Sequence, residues 1–318
     1  MARKLRLEFP GACYHVINRG NYRAAVFRTP GARAAFEACL FEACGKSGWV
    51  LHAFVVMSNH YHLAVETPDS NLVAGMQWLQ ATFANRFNKL RGERGHLFQG
   101  RYKALLVEEG GPLAQVCHYI HLNPVRAGLV GVGRLAGYRS SSYWYLSRPA
   151  VRPACLDLRT ALIEAGELSD SPAGWRSYAD YLAWQAAEGP VGKNRMYVSL
   201  SRGWALGTKE FKTALVHDHA LAADTRAWES VGAREIREHL WEKRLAECLR
   251  ELRKTAADAR NDRKSAGWKI AVADTLKRTT QAPNGWLAVR LNMGSGAAVS
   301  QYVSQRRRGA GRPASGCL

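Results

Sequence analysis

The sequence predicts an α+β fold for its first half, a ferredoxin-like sandwich in which an antiparallel sheet carries helices on one face. Two observations predict it. Apolar residues alternate between a strand period of about two and a helix period of about 3.6, in the order strand, helix, strand, strand, helix, strand, with a further helix after them. The second and third strands are separated only by Ser58-Asn59, the length of a hairpin turn. The second half is charged, Ala-rich and helical in pattern, so a helical C-terminal extension is expected.

The elements follow in order. Residues 12 to 19, Ala-Cys-Tyr-His-Val-Ile-Asn-Arg, read as a strand that stops at Gly20-Asn21. Residues 31 to 46 place Ala35, Phe36, Cys39, Leu40 and Ala43 at helical spacing, and Gly45 and Gly48 punctuate the end. Trp49 to Met57 is rich in Val, Phe and Trp, and His60 to Glu66 follows as its hairpin partner. Leu72 to Leu90 is a long amphipathic helix, followed by a Gly- and Arg-rich loop at 91 to 95. Tyr102 to Val107 is the next strand. The helix after it begins near Pro112, a residue suited to a first turn, and is expected to end near Leu122.

Residues 134 to 155 read as an exit segment, and helical stretches follow around 156 to 188 and 209 to 260. Near the end, 268 to 278 and 283 to 291 read as helices. Asn292-Met293-Gly294 makes a turn and Ser295 caps a third helix to about Val303, a pattern that resembles a helix-turn-helix. The expected organisation is an α+β domain over 1–135, a connecting helical segment over 136–200, a helical C-terminal domain over 201–305 and a basic disordered tail over 306–318.

The 318 residues are 47% apolar, which excludes wholesale disorder. No apolar run reaches the ~20 residues of a membrane helix, and Met1 to Phe9 lacks the apolar core of a secretory signal. The seven cysteines include no C-x-x-C pair, so a reducing, cytoplasmic setting is expected. The net charge of +19 makes nucleic acid the default partner. A GC-rich genome explains Arg over Lys, but not the scarcity of Asp and Glu.

His60 and His62 are two apart on a predicted strand, so both imidazoles face one side and can share a metal. Tyr119 lies on a later helix with Asn123 one turn on. A tyrosine can attack a phosphodiester and remain covalently attached, and a metal can relieve charge on the phosphoryl oxygens. Asn123 could supply an oxygen ligand. On spacing alone, Tyr119 is equally a core aromatic and Asn123 a cap before Pro124. His118 and His121 read as packing or phosphate contacts, and His15 as lining the site or packing. Glu66 reads as an acceptor orienting an imidazole or as a solvated strand end.

Met57-Ser58-Asn59-His60-Tyr61-His62-Leu63 resembles the His-hydrophobic-His (HUH) motif of single-tyrosine transposases. The segment from Tyr119 to Gly128 resembles their tyrosine helix. Tyr14 to Gly20, Phe98 to Lys103 and Ser140 to Tyr143 add to the likeness, which covers about residues 8 to 146. In pattern the chain resembles the REP-associated tyrosine transposases of the IS200-like group. That resemblance implies a ferredoxin-like fold, Mg²⁺ or Mn²⁺ as cofactor, and cleavage of single-stranded DNA near hairpins with Tyr119 left on the 5′-phosphate. It implies His60 and His62 as metal ligands and, less firmly, Asn123 at a position where related enzymes place a third. Beyond residue 150 the match is thinner: the segments starting at Arg202 and at Trp286 resemble extensions of long family members.

Arg19, Arg101, Lys103 and Arg126 are candidates for DNA backbone contacts, and Arg306, Arg307 and Arg308 for phosphate contacts from the tail. Two other readings use the same residues. One is a non-catalytic DNA-binding regulator that retains the fold. The other is a structural Zn²⁺ site at His60 and His62, with Cys13 or Cys117 brought close by folding. The sequence is compatible with a monomer and with a homodimer.

Overall fold

The structure is a computed structural model describing residues 7–187, 200, 203–218, 230–280 and 282–310. The chain divides into two compact units, residues 1–212 and 213–318.

The first unit is built on a five-stranded sheet in the order β2-β3-β1-β4-β5. The strands are β1 (Ala12–Arg19), β2 (Val50–Val56), β3 (His60–Thr67), β4 (Lys103–Val107) and β5 (Ala205–Leu206). β1 lies antiparallel to both β3 and β4, and β2 is antiparallel to β3, which is the expected ferredoxin-like arrangement. β5 adds a short parallel strand along the outer edge of β4.

Helices α1 (Pro30–Ser47) and α2 (Leu72–Arg91) pack together on one face. α1 starts where the Thr29 hydroxyl accepts from the Ala32 N–H at 3.2 Å with Pro30 in the first turn, and stops at Gly48, whose φ of 65° is left-handed. Phe36 of α1, Phe83 of α2, Phe27 and Tyr61 of β3 form the aromatic core of this face, with Phe36 4.6 Å from Tyr61 between ring centroids. Gly75 lets α2 approach: a Cβ there would sit 2.1 Å from Cζ2 of Trp49.

The second face is also covered, by α3 (Gly111–Arg126). The expectation of helices on one face is therefore extended. The physical reason is visible in β2, whose residues are buried without alternation after Val50, the mark of a strand covered on both sides. α3 also runs past the end expected near Leu122. Pro124 lacks an N–H and removes one hydrogen bond in the last turn, yet the helix continues to Arg126 and closes through the Ala127 N–H on the Asn123 carbonyl at 3.0 Å. Asn123 is thus inside the helix and does not cap it.

Helices α4 (Arg159–Ile163) and α5 (Pro172–Ala187) pack behind α3. The exit segment between them and α3 is more than a connection. Ser142 Oγ bonds the Phe54 N–H and carbonyl of β2 and lies 2.8 Å from His121 Nε2, tying α3 to the sheet.

The second unit is helical. It contains α6 (Ser230–Glu251), α7 (Ala256–Asn261), α8 (Gly267–Thr279), α9 (Asn284–Arg290) and α10 (Gly296–Ala310). Its core joins Trp241, Leu245, Leu276, Leu287, Met293 and Val303. Between α9 and α10 the chain turns through Asn292 and Gly294, both left-handed, and the Ser295 hydroxyl accepts from the Ala298 N–H at 3.2 Å as the expected cap. Residues 306 to 310, expected in the tail, are helical, and Arg307 is paired with Asp274 at 2.6 Å. The rest of the expected tail, and Arg202, lie outside the described residues. No helix among the described residues is long and apolar enough to cross a membrane.

Candidate active site

β3 presents alternate side chains to opposite faces, so Tyr61 enters the aromatic core while His60 and His62 face α3. The register sets their neighbours. Arg19 pairs with His60 and Ile17 with His62 across β1, and Lys103 pairs with Ile17 from β4. Residues opposite one another in antiparallel strands share a face. α3 then lays Tyr119 over them, its ring centroid 5.4 Å from that of His62 and 5.8 Å from that of His15. Ile17, Asn18, Arg19, His60, His62, Gln99, Arg101, Lys103 and Tyr119 line a cavity of about 440 Å³.

The hydrogen bonds around the two histidines decide which nitrogens are free. The Leu200 carbonyl can only accept, so His15 Nδ1, 2.7 Å away, carries a proton. His15 Nε2 must then accept, so the proton in its 3.0 Å bond to His62 Nδ1 belongs to His62. His62 Nε2 keeps its lone pair. The same logic applies to His60, whose Nδ1 donates to Asn59 Oδ1 at 2.7 Å. Both ligand candidates are therefore held with Nε2 unprotonated, the arrangement that outer acceptors impose on metal-binding imidazoles. Burial, aided by Arg19, lowers the His60 pKa to about 4, and His62 lies well below its usual value through burial, then the adjacent His15 and His60, then Arg126 and Arg19. Burial likewise lowers His15 to about 4. All three are neutral near pH 7 and able to donate lone pairs.

The other expected residues fall on both sides of the site. Arg19, Arg101 and Lys103 join the cavity lining. Arg126 stands outside that lining, with its guanidinium 4.9 Å from the centre of the Tyr119 ring. Asn123 is buried one helical turn beyond Tyr119 and is not among the lining residues.

His118 and His121 are held as packing residues, each with Nδ1 within 2.9 Å of the Tyr178 hydroxyl. Glu66 orients His52, at 3.3 Å, and not His60 or His62. Cys13 lies with that pair as well, so no cysteine among the described residues joins the two histidines.

Three residues of the site carry little sequence signal. His15 was legible only as a lining or packing residue. Asn59 and Gln99 sit in the motif segments, but their roles follow from the register of Gly20 with Phe98 and from the Gln99 N–H bonding the Arg19 carbonyl at 2.9 Å.

Comparison with known proteins gives one family. Residues 9–123 match the family described as "Transposase IS200 like". No curated protein matches the chain. Among solved structures, a REP-associated tyrosine transposase bound to a REP hairpin aligns over 50% of this chain and 93% of its own, with 16% identity and a TM-score of 0.40. A protein from Deinococcus radiodurans R1 described as a transposase aligns over 37% of this chain and 95% of its own, with 25% identity and a TM-score of 0.28. Both TM-scores fall below 0.5, and the family match covers 115 of the 318 residues.

Proposed function

We propose that this chain, whose residues 9–123 match the IS200-like transposase family, is a metal-dependent single-stranded DNA endonuclease and strand transferase of the REP-associated type, acting beside hairpins through Tyr119. The observation that carries the reading is the placement of the Tyr119 ring 5.4 Å from His62, in a cavity that also receives Arg19, Arg101 and Lys103. A nucleophile, a pair of free imidazole lone pairs and three cations meet in one place. Cleaving a phosphodiester needs a nucleophile, charge relief and alignment.

His60 and His62 would hold Mg²⁺ or Mn²⁺ through Nε2, with the Asn123 side-chain oxygen the candidate third ligand. The ion supplies Lewis-acid polarisation of the scissile phosphate. Arg19, Arg101 and Lys103 position the DNA backbone, and Arg126 lies against the Tyr119 ring, its guanidinium 4.9 Å from the ring centre. Tyr119 Oη attacks phosphorus, the P–O3′ bond breaks, the phenolic proton ends on the released 3′-oxygen, and the 5′-phosphate stays on the tyrosine. The bond count at phosphorus is unchanged, so a later 3′-OH can reverse the step and join strands without ATP.

The test incubates the protein with hairpin-bearing single-stranded DNA and Mn²⁺. A covalent adduct on a denaturing gel, absent in Tyr119→Phe and in metal-free buffer, is expected. Retained DNA binding with no adduct across a varied hairpin set would favour the non-catalytic regulator instead. We assign the second unit, with its α9-turn-α10 arrangement and the exposed Arg306 and Arg308, to DNA binding, and deletion of 213–318 should weaken DNA affinity more than it lowers adduct yield at saturating DNA.

A further inference from the structure

A second cluster of ligating side chains sits at the other end of the same strands. Cys13 of β1, His52 of β2 and Glu66 of β3 bring one sulfur, one imidazole nitrogen and one carboxylate oxygen within 4.8 Å of one another. Glu66 is four residues beyond His62 along β3, about 13 Å at the rise of a strand, so the cluster is separate from the candidate active site.

The backbone is built to bring it together. Leu51 pairs with Val65 and Ala53 with Ala64, which leaves His52 as the extra residue of a β-bulge. A bulge re-aims a side chain, and this one turns His52 towards Glu66, with Nε2 3.3 Å from the carboxylate. On the other side of the ring, the Thr160 hydroxyl lies 3.3 Å from His52 Nδ1. Cys13 is buried, and its thiol makes a long 3.9 Å contact to the Gly11 carbonyl. Burial first, then the carboxylates of Glu66 and Glu109, raise the Cys13 pKa to about 12, so the thiol is protonated until a cation offsets those charges.

We propose that Cys13, His52 and Glu66 form a zinc site distinct from the His60–His62 pair. Thiolate, imidazole and carboxylate are the donors Zn²⁺ takes, and sulfur selects against Mg²⁺ and Mn²⁺. On binding, the Cys13 thiol releases a proton to solvent, and the single His52 ring proton moves from Nε2 to Nδ1 by exchange with solvent, with no net release from the ring. The Thr160 hydroxyl rotates to accept from His52 Nδ1–H, which fixes the ligating tautomer. Zn²⁺, one thiolate and one carboxylate sum to zero charge, so the burial cost of the ensemble is small. The Glu66 side chain is 29% exposed, which leaves solvent the fourth position and makes the site exchangeable.

The test uses the full chain carrying His60→Ala and His62→Ala, so that the candidate active site takes no metal. Stripped of metal and titrated with Zn²⁺, it should bind one ion per chain and gain thermal stability. Co²⁺ in its place should give a thiolate-to-cobalt charge-transfer band. Adding Cys13→Ser should abolish the band and lower Zn²⁺ affinity at least tenfold with the circular dichroism unchanged. Should Cys13→Ser misfold, Glu66→Gln must still weaken Zn²⁺ binding. No charge-transfer band, or Zn²⁺ uptake indifferent to both substitutions, would overturn the proposal. Adduct formation by an otherwise wild-type Cys13→Ser chain reports separately on Tyr119 chemistry.

Discussion

The two faces of the sheet share their strands, yet on β3 one side enters an aromatic core and the other presents imidazoles. On the α1–α2 side, Tyr61 packs among Phe27, Phe36 and Phe98. One residue away in each direction, His60 and His62 look into the basic cavity. Burial serves both faces differently. Around Tyr61 it yields stability by removing apolar surface from water. Around His62 it removes the proton, because a buried imidazolium is costly while a neutral imidazole with a bonded Nδ1 is not. Dry packing and ligand readiness come from one physical cause acting on two residue types.

The sharpest way to break this comparison is to truncate neighbours on opposite faces. Tyr61→Ala should lower unfolding free energy by about 3–5 kcal/mol, the usual cost of deleting a buried aromatic, as read by urea denaturation. His62→Ala should leave stability within about 1–2 kcal/mol but abolish Mn²⁺ binding seen by electron paramagnetic resonance. Equal stability losses for the two would show that the faces do not divide labour in this way.

A second effect is pH dependence on the histidine side. Burial lowers the His118 pKa to about 4 from a usual 6.5. The unfolded chain therefore takes up a proton below pH 6.5 that the native state refuses. The stability from keeping His118 neutral is present above that pH and is lost as pH falls towards 4, at up to about 1.4 kcal/mol per pH unit. His118→Gln should flatten the stability profile between pH 6 and 4.5 by about that slope. An unchanged slope would mean that His118 is solvated in the native state. The smallest effect belongs to the aromatic side: Thr29→Ala, removing the α1 cap, should cost about 1 kcal/mol with adduct formation intact.

Much of the first unit was legible in the sequence because its signals are local. β1 spans the expected residues 12 to 19, and α2 and the hairpin come within a residue or two of their expected bounds. The His60–His62 pair was legible as a face, since strand geometry alone sets it. What local patterns do not encode is who meets whom across the fold. Nothing near His15 in the sequence shows that it bonds His62, 47 residues on, or that Leu200 holds it from behind. The second covered face became visible only in the structure, through the unbroken burial of β2. Glu66 was readable as an acceptor for an imidazole, but its partner depended on a bulge at His52 that no short pattern announces.

The Leu200 carbonyl has a consequence in time as well as in space. It lies 185 residues after the imidazole it steadies. During synthesis, every residue of both motif segments leaves the ribosome well before it. A nascent chain with both histidines and the tyrosine folded in place still lacks the acceptor that fixes the His15 proton, and so the His62 lone pair is not yet assigned. The proton arrangement of the His15–His62 pair is therefore set only after residue 200 has been made.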